Sequence, residues 1–273
     1  GSVSIQGWQN HSMDVTFSDC TLTVAQINDK VFGTPTNSDG LTIGRVINAS
    51  SSNEPVIYSG AYNKITANTG DNNIILGGEF NTLTTGAGAD TIEVWGEGSK
   101  VQAGAGNDVI SVSGDVIIDA GSGNDTILLC SGSDRSYITL GTGSDSIIVD
   151  WTKLGYSRNV IANTAGVGDT DTLILHNITP SDINVQWDSV WVEDSKITTG
   201  NVVISDNNYQ SVCVEGWKDH GMQIQFDDGT VWSESYINDS ILPSSSLYEG
   251  FYPYKPDDPE YMTVPESVYN VTK

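Results

Sequence analysis

Between residues 58 and 175 the chain repeats short bursts of alternation, each with two apolar positions one residue apart and each closed by a turn rich in Gly, Asn and Asp. Ile92 and Val94, Ile110 and Val112, Ile127 and Leu129, and Ile147 and Val149 form one series. Interleaved with it runs a second: Leu83 and Thr85, Val101 and Ala103, Ile118 and Ala120, Ile138 and Leu140. Alternation with period two over so few residues predicts strands with one buried face. Two interleaved series at near-constant spacing predict a coil in which each turn holds two strands and two loops. The register extends back to Ile74 and Leu76, and to Ile65 and Ala67, and forward to Leu173 and Leu175. The fold class expected is therefore all-β, a coil of stacked strands over 58–175.

The loops carry the chemistry. Gly86-Ala-Gly88-Ala-Asp90, Gly104-Ala-Gly106-Asn-Asp108, Gly121-Ser-Gly123-Asn-Asp125 and Gly141-Thr-Gly143-Ser-Asp145 share one pattern, and their starts are 18, 17 and 20 residues apart. Glycine at the first and third places permits positive φ, so loop carbonyls can turn inward without a Cβ clash. The aspartate adds a carboxylate, and an all-oxygen cage of this kind suits calcium rather than zinc. One period before Asp90 the equivalent residue is Asn72, and after the insertion in Gly166-Val-Gly-Asp-Thr-Asp171 it is Asp171. The opposite loops offer Asn63, Asn81, Ser99, Asp115 and Asp134 without regular glycines. One edge of the coil is thus expected to bind calcium and the other to be largely metal-free. Stacked aspartates without a cation would repel one another.

This ladder resembles the nonapeptide repeats of the RTX (hemolysin-type calcium-binding) family, with a consensus of Gly-Gly-x-Gly-x-Asp followed by an apolar residue. It departs where the family's first glycine is replaced by Thr85, Ala103, Ala120 and Leu140. The resemblance implies a right-handed parallel β-roll with each ion held between loops one turn apart. Ions would lie between Asp90 and Asp108, Asp108 and Asp125, and Asp125 and Asp145, with weaker sites at the ends near Asn72 and Asp171. That makes about three to five calcium ions, bound in the ~0.1–1 mM range of extracellular modules.

Segments outside the ladder divide differently. Residues 3–21 and 212–230 match at a constant offset of 209, through Gly7, Trp8, His11, Met13, Phe17, Asp19 and Thr21 against Gly216, Trp217, His220, Met222, Phe226, Asp228 and Thr230. Each copy predicts two strands and a closing helical turn. Residues 176–240 are expected to form an antiparallel β capping segment, with a helical turn capped by Thr179 and opened by Pro180. Strands are expected near 183–187, 190–192, 201–204 and 212–214. Through Phe226-Asp-Asp-Gly-Thr-Val-Trp232 this stretch also resembles the segment that follows RTX repeats. Residues 1–29 would then be the last hairpin of a preceding cap, and 30–57 a linker and N-terminal cap. Residues 241–273 hold five of the eight prolines and five tyrosines, and are expected to be an extended tail.

Charge narrows the partners. With 35 acidic against 11 basic residues, a net charge of −24 disfavours nucleic acid and anionic membranes. No apolar stretch is long enough for a transmembrane segment. Cys20, Cys130 and Cys213 are too far apart and too few for a disulfide framework, and read as small buried thiols. No catalytic set is apparent: Lys64, Lys100 and Arg135 fall on different turns, His11 and His220 are equivalent cap residues, and His176 is isolated. The expected function is a non-enzymatic calcium-binding block of a larger secreted or cell-surface protein of bacterial type. It would fold on meeting extracellular calcium, support secretion and stiffen the parent, with neighbouring blocks as partners. The alternative is a calcium-dependent adhesin module for a glycan or cell-surface receptor, using Trp187, Trp191 and Trp232 or the tail tyrosines.

Overall fold

The computed structural model describes residues 15–16, 21–22, 46–49, 56–58 and 60–240, apart from 68, 134, 156, 157, 165, 167, 193, 194 and 209. The tail expected at 241–273 and most of 1–57, including most of the linker and cap expected at 30–57, lie outside the described residues. Within 1–29, β1 (Val15–Thr16) and β2 (Thr21–Leu22) pair antiparallel.

From there the strands alternate between two sheets. They are β3 (Val46–Ala49), β4 (Val56–Tyr58), β5 (Lys64–Ala67), β6 (Asn73–Gly77), β7 (Thr82–Thr84), β8 (Thr91–Trp95), β9 (Lys100–Gln102) and β10 (Val109–Ser113). They continue as β11 (Ile117–Asp119), β12 (Thr126–Leu129), β13 (Tyr137–Thr139), β14 (Ser146–Asp150), β15 (Arg158–Ala162) and β16 (Thr172–His176). Even-numbered strands from β4 to β16 pair in parallel in one sheet, and odd-numbered strands from β3 to β15 pair in parallel in the other. Register places Ile110 between Ile92 and Ile127, and Ile118 between Val101 and Ile138, so like residues stack along the coil. All the paired positions predicted from 83 to 149 are buried, and all but the polar Thr85 belong to one continuous core. Thr85, Ala103, Ala120 and Leu140, where the RTX pattern has glycine, face that core.

The parallel ladder is longer than 58–175. It begins at β3 and β4, and after β16 it is joined by β19 (Ser211–Glu215), parallel to β15, and β20 (Gln223–Phe226), parallel to β16. Part of the predicted cap is thus the last turn of the coil. The loop motif that marks turns in the sequence stops at Asp171, so only strand pairing reveals this turn.

The antiparallel strands sit at that end. β17 (Asn184–Val192) and β18 (Ser195–Ser205) form a hairpin, and β18 pairs antiparallel with β19. The two strands expected at 183–187 and 190–192 are one, with a shift of register between Trp187 and Ser189. Thr179 caps a 3-10 turn at Pro180–Asp182, as its sequence predicts. β21 (Val231–Trp232) folds back on β20, and α1 (Glu234–Ser240) closes the coil end. Ile237 enters the core, and Trp217 is fully buried with its indole N–H donating to Asn238 Oδ1 at 2.8 Å. Among the described residues, no helix is long and apolar enough to cross a membrane.

Candidate metal centre

The four glycine loops stack along one edge of the coil. Ala87, Ala105, Ser122 and Thr142 bridge in parallel from loop to loop, and the second glycine of each of the first three loops donates its amide to the next turn: Gly88 to Ala105 O at 2.8 Å, Gly106 to Ser122 O at 2.7 Å and Gly123 to Thr142 O at 2.8 Å. Glycine is required here for space as well as for φ. At Gly106, with φ +136°, an added Cβ would lie 1.9 Å from Gly88 O, and at Gly121 it would lie 1.9 Å from Gly104 O. Gly86 alone among the eight motif glycines lacks positive φ.

The aspartates turn inward from these loops. Asp90, Asp108, Asp125, Asp145 and Asp171 are each 1% exposed. One carboxylate oxygen of each accepts the backbone N–H of its equivalent one turn earlier. Asp90 Oδ1 accepts from Asn72 at 2.7 Å, Asp108 from Asp90 at 2.7 Å, Asp125 from Asp108 at 2.8 Å, Asp145 from Asp125 at 2.8 Å and Asp171 from Asp145 at 2.7 Å. The other oxygen, Oδ2, is buried without a hydrogen-bond partner in all five. A buried carboxylate oxygen left without a donor is costly.

Electrostatics agree with that geometry. Burial raises Asp108 to about 6, Asp125 to about 7 and Asp145 to about 6, and raises Asp171 as well. The amide of the preceding turn pulls each value back, and neighbouring aspartates push it up again: Asp90 on Asp108, Asp108 and Asp145 on Asp125, Asp171 and Asp169 on Asp145.

The opposite edge provides an internal comparison. Asn63, Asn81, Ser99, Val116, Ser136 and Asn159 occupy the matching buried row. Asn63 N–H donates to Asn81 Oδ1 at 2.9 Å, Asn81 N–H to Ser99 Oγ at 3.2 Å and Ser136 N–H to Asn159 Oδ1 at 3.0 Å, repeating the aspartate pattern. These side chains also donate. Asn81 Nδ2 reaches Gly60 O at 2.9 Å, Ser136 Oγ reaches Gly114 O at 3.0 Å and Asn159 Nδ2 reaches Ser133 O at 2.6 Å. Amides and hydroxyls thus serve both their own row and the loop carbonyls, whereas an ionised aspartate can only accept.

Both ends of the acidic row have neutral residues. Asn72 opens it, with Nδ2 donating to Asp90 Oδ1 at 2.9 Å and to Gly70 O at 2.5 Å. At the other end Gln223 N–H bonds to Asp171 O as Thr172 N–H bonds to Asp145 O, which puts the buried Met222 next in line. The expected opposite row included Asp115 and Asp134. Register instead assigns those places to Val116 and Ser136; Asp115 pairs with Arg135 at 3.0 Å, and Asp134 lies outside the described residues.

Asp169 escaped the sequence reading, although it stands inside the quoted Gly166–Asp171 motif. Its Oδ2 accepts from Gly143 N–H at 3.0 Å and Gly166 N–H at 2.8 Å. Among the described residues no three acidic, His or Cys side chains converge on one point, so a cation between the loops would take its remaining ligands from backbone carbonyls. A hard divalent ion fits this donor set, because each gap is bounded by carboxylate oxygens that lack donors.

Of the tryptophans named for ligand binding, Trp187 and Trp232 pack against the core, and the side chain of Trp191 lies outside the described residues. Compared with known proteins, the chain matches no family model and no curated protein.

Proposed function

We propose that the acidic edge is a row of calcium sites, and that the chain is a calcium-binding structural block of a larger secreted or cell-surface protein, folding when it meets extracellular calcium. The observation that carries this reading is the five buried Oδ2 atoms without partners, set against an opposite edge of the same geometry in which amides and hydroxyls supply donors. Calcium between successive loops would satisfy those oxygens and offset the repulsion along the row. RTX-like sites of this class bind at ~0.1–1 mM, above cytosolic calcium, so the chain would remain uncoiled before export and coil outside.

Far-ultraviolet circular dichroism tests the switch. A disordered spectrum is expected in chelator and a β spectrum in millimolar calcium, with the response lost in the double variant Asp108→Ala, Asp125→Ala. An identical spectrum in both conditions would refute calcium-triggered folding.

A further inference from the structure

The turn that closes the coil has a second copy in the chain. Residues 3–29 repeat residues 212–239, with one residue more in the later copy, and the likeness follows burial. Val214, Trp217, Met222, Ile224, Phe226 and Ile237 are buried in the core at the coil end, and their counterparts are Ile5, Trp8, Met13, Val15, Phe17 and Ile27. Lys218, Gln225, Asp227 and Tyr236 are exposed, and there the copies differ, with Gln9, Thr16, Ser18 and Gln26. Asn238, which accepts the Trp217 indole N–H, is matched by Asn28. Gly216 has φ +76°, and a Cβ there would lie 2.8 Å from Asn163 O in the preceding turn; its counterpart is Gly7. The earlier copy thus keeps the residues with which the later one sits on a coil.

The hairpins of the two copies share one register. β20 pairs with β21 through Ile224 and Trp232 and through Gln225 and Val231; β1 pairs with β2 through Val15 and Leu22 and through Thr16 and Thr21. Val15 and Thr16 stand at the positions of Ile224 and Gln225, and only the turn between the strands is shorter, by one residue. On its other edge β20 pairs in parallel with β16. Among the described residues β1 pairs with β2 alone, so the edge that β20 gives to β16 carries no strand on β1. A lone two-stranded hairpin is marginal in water. β2 covers the edge of β1 that would face β4, so residues 3–29 do not fit as a turn placed before β3 and β4. What fits the open edge is a strand pair of the β15 and β16 kind.

We propose that residues 3–29 are a second closing turn, and that they dock in parallel on β15 and β16 of another copy of this chain, in place of its residues 211–240. Such a contact joins the head of one molecule to the tail of the next, so it propagates instead of closing on itself. The resident turn competes from within its own chain, at an effective concentration on the order of millimolar. Exchange therefore becomes visible when the resident turn is weakened and the docking turn is left intact.

Analytical ultracentrifugation in millimolar calcium tests the exchange. The parent chain should be monomeric at micromolar concentration. Trp217→Ala with Phe226→Ala removes the two largest fully buried side chains, both in the resident turn, and should give assemblies that lengthen with concentration. Adding Trp8→Ala and Phe17→Ala disables the docking turn too and should return the chain to monomers. A monomeric first variant would overturn the proposal, and so would equal assembly after the second pair of substitutions, which would mean unspecific association of a bared coil end. If circular dichroism shows that the first variant does not coil, a disulfide trap in a chain with both turns intact decides. Gln225 lies opposite Ile174, so Thr16 of a docked turn would lie there as well. With Cys20, Cys130 and Cys213 replaced by Ser, Thr16→Cys with Ile174→Cys should give disulfide-linked oligomers on oxidation, and Trp8→Ala with Phe17→Ala should abolish them. Monomers alone, with or without an internal link, or oligomers that survive those two substitutions, would overturn the proposal.

Discussion

At the residue scale, what separates the two edges is whether a side chain can donate. Asparagine and serine accept one backbone N–H and still give a hydrogen to a carbonyl; an ionised aspartate accepts on both oxygens and gives nothing. A proton can do part of what a cation would do, and this fixes the direction of the pH dependence. Asp108, Asp125 and Asp145 have folded-state values of about 6, 7 and 6 against 3.8 for the free side chain. A raised carboxyl holds its proton more tightly in the fold, so ionising it opposes folding. The cost is absent below about pH 4, grows through the interval up to about pH 7 and is constant above; a shift of the size at Asp108 corresponds to about 3 kcal/mol. In chelator, the share of β structure should therefore rise as pH is lowered from 7 to 5. In calcium the slope should reverse, because protons compete for the ligands. Far-ultraviolet circular dichroism at several pH values checks both slopes, and a metal-free β signal that falls between pH 7 and 5 would contradict the account. Asp150, Asp227 and Asp228 have lowered values and act in the opposite sense, but only near and below pH 4.

At the scale of the strand and its loop, a turn is built the same way on both edges, and one residue per turn decides whether it needs an ion. Converting the acidic row into a copy of the neutral one isolates that choice. Replacing Asp90, Asp108, Asp125, Asp145 and Asp171 together by Asn keeps every Oδ1 acceptor for the preceding amide and supplies an Nδ2 donor for loop carbonyls, as Asn81 does for Gly60 O and Gly77 O. The variant should show a β spectrum in chelator and no response to calcium; a disordered spectrum would place the barrier to coiling elsewhere than in the carboxylates. The acidic edge was legible because its loops keep a fixed length, so Asp90, Asp108, Asp125 and Asp145 can be aligned by spacing alone. The neutral edge was only half legible. Its loops vary in length, and Asp115 looks like the continuation of Asn63, Asn81 and Ser99 until register gives that place to Val116. Asp169 was visible as a letter, but nothing in the sequence indicates that it has displaced a carbonyl from the loop ladder.

At the scale of the molecule, a coil is stabilised turn by turn, and its end turns have a neighbour on one side only. The end after β20 is closed by a turn the repeat motif does not mark, because its loop carries Trp217 and Met222 where earlier loops carry glycine and aspartate. Its duplicate at residues 3–21 signalled that the segment is a unit, but not that it pairs in parallel with β15 and β16. Trp217 is the largest fully buried side chain of this turn, and its indole holds α1 through Asn238. Phe226, Trp232 and Tyr236 continue the cover, with ring centroids 4.9 and 5.5 Å apart in succession. Trp217→Ala should cost ~3–5 kcal/mol, as a fully buried aromatic does when truncated to Ala. In a coil with nearest-neighbour coupling, that loss should appear first in the turns it touches. Amide hydrogen exchange of the calcium-loaded variant should therefore lose protection in β19 and β20, then in β15 and β16, while β6 to β10 keep theirs. Uniform loss along the coil would mean that the turns unfold as one unit, and the terminal turn would then act as a lock on the whole row of loops rather than as a local cover.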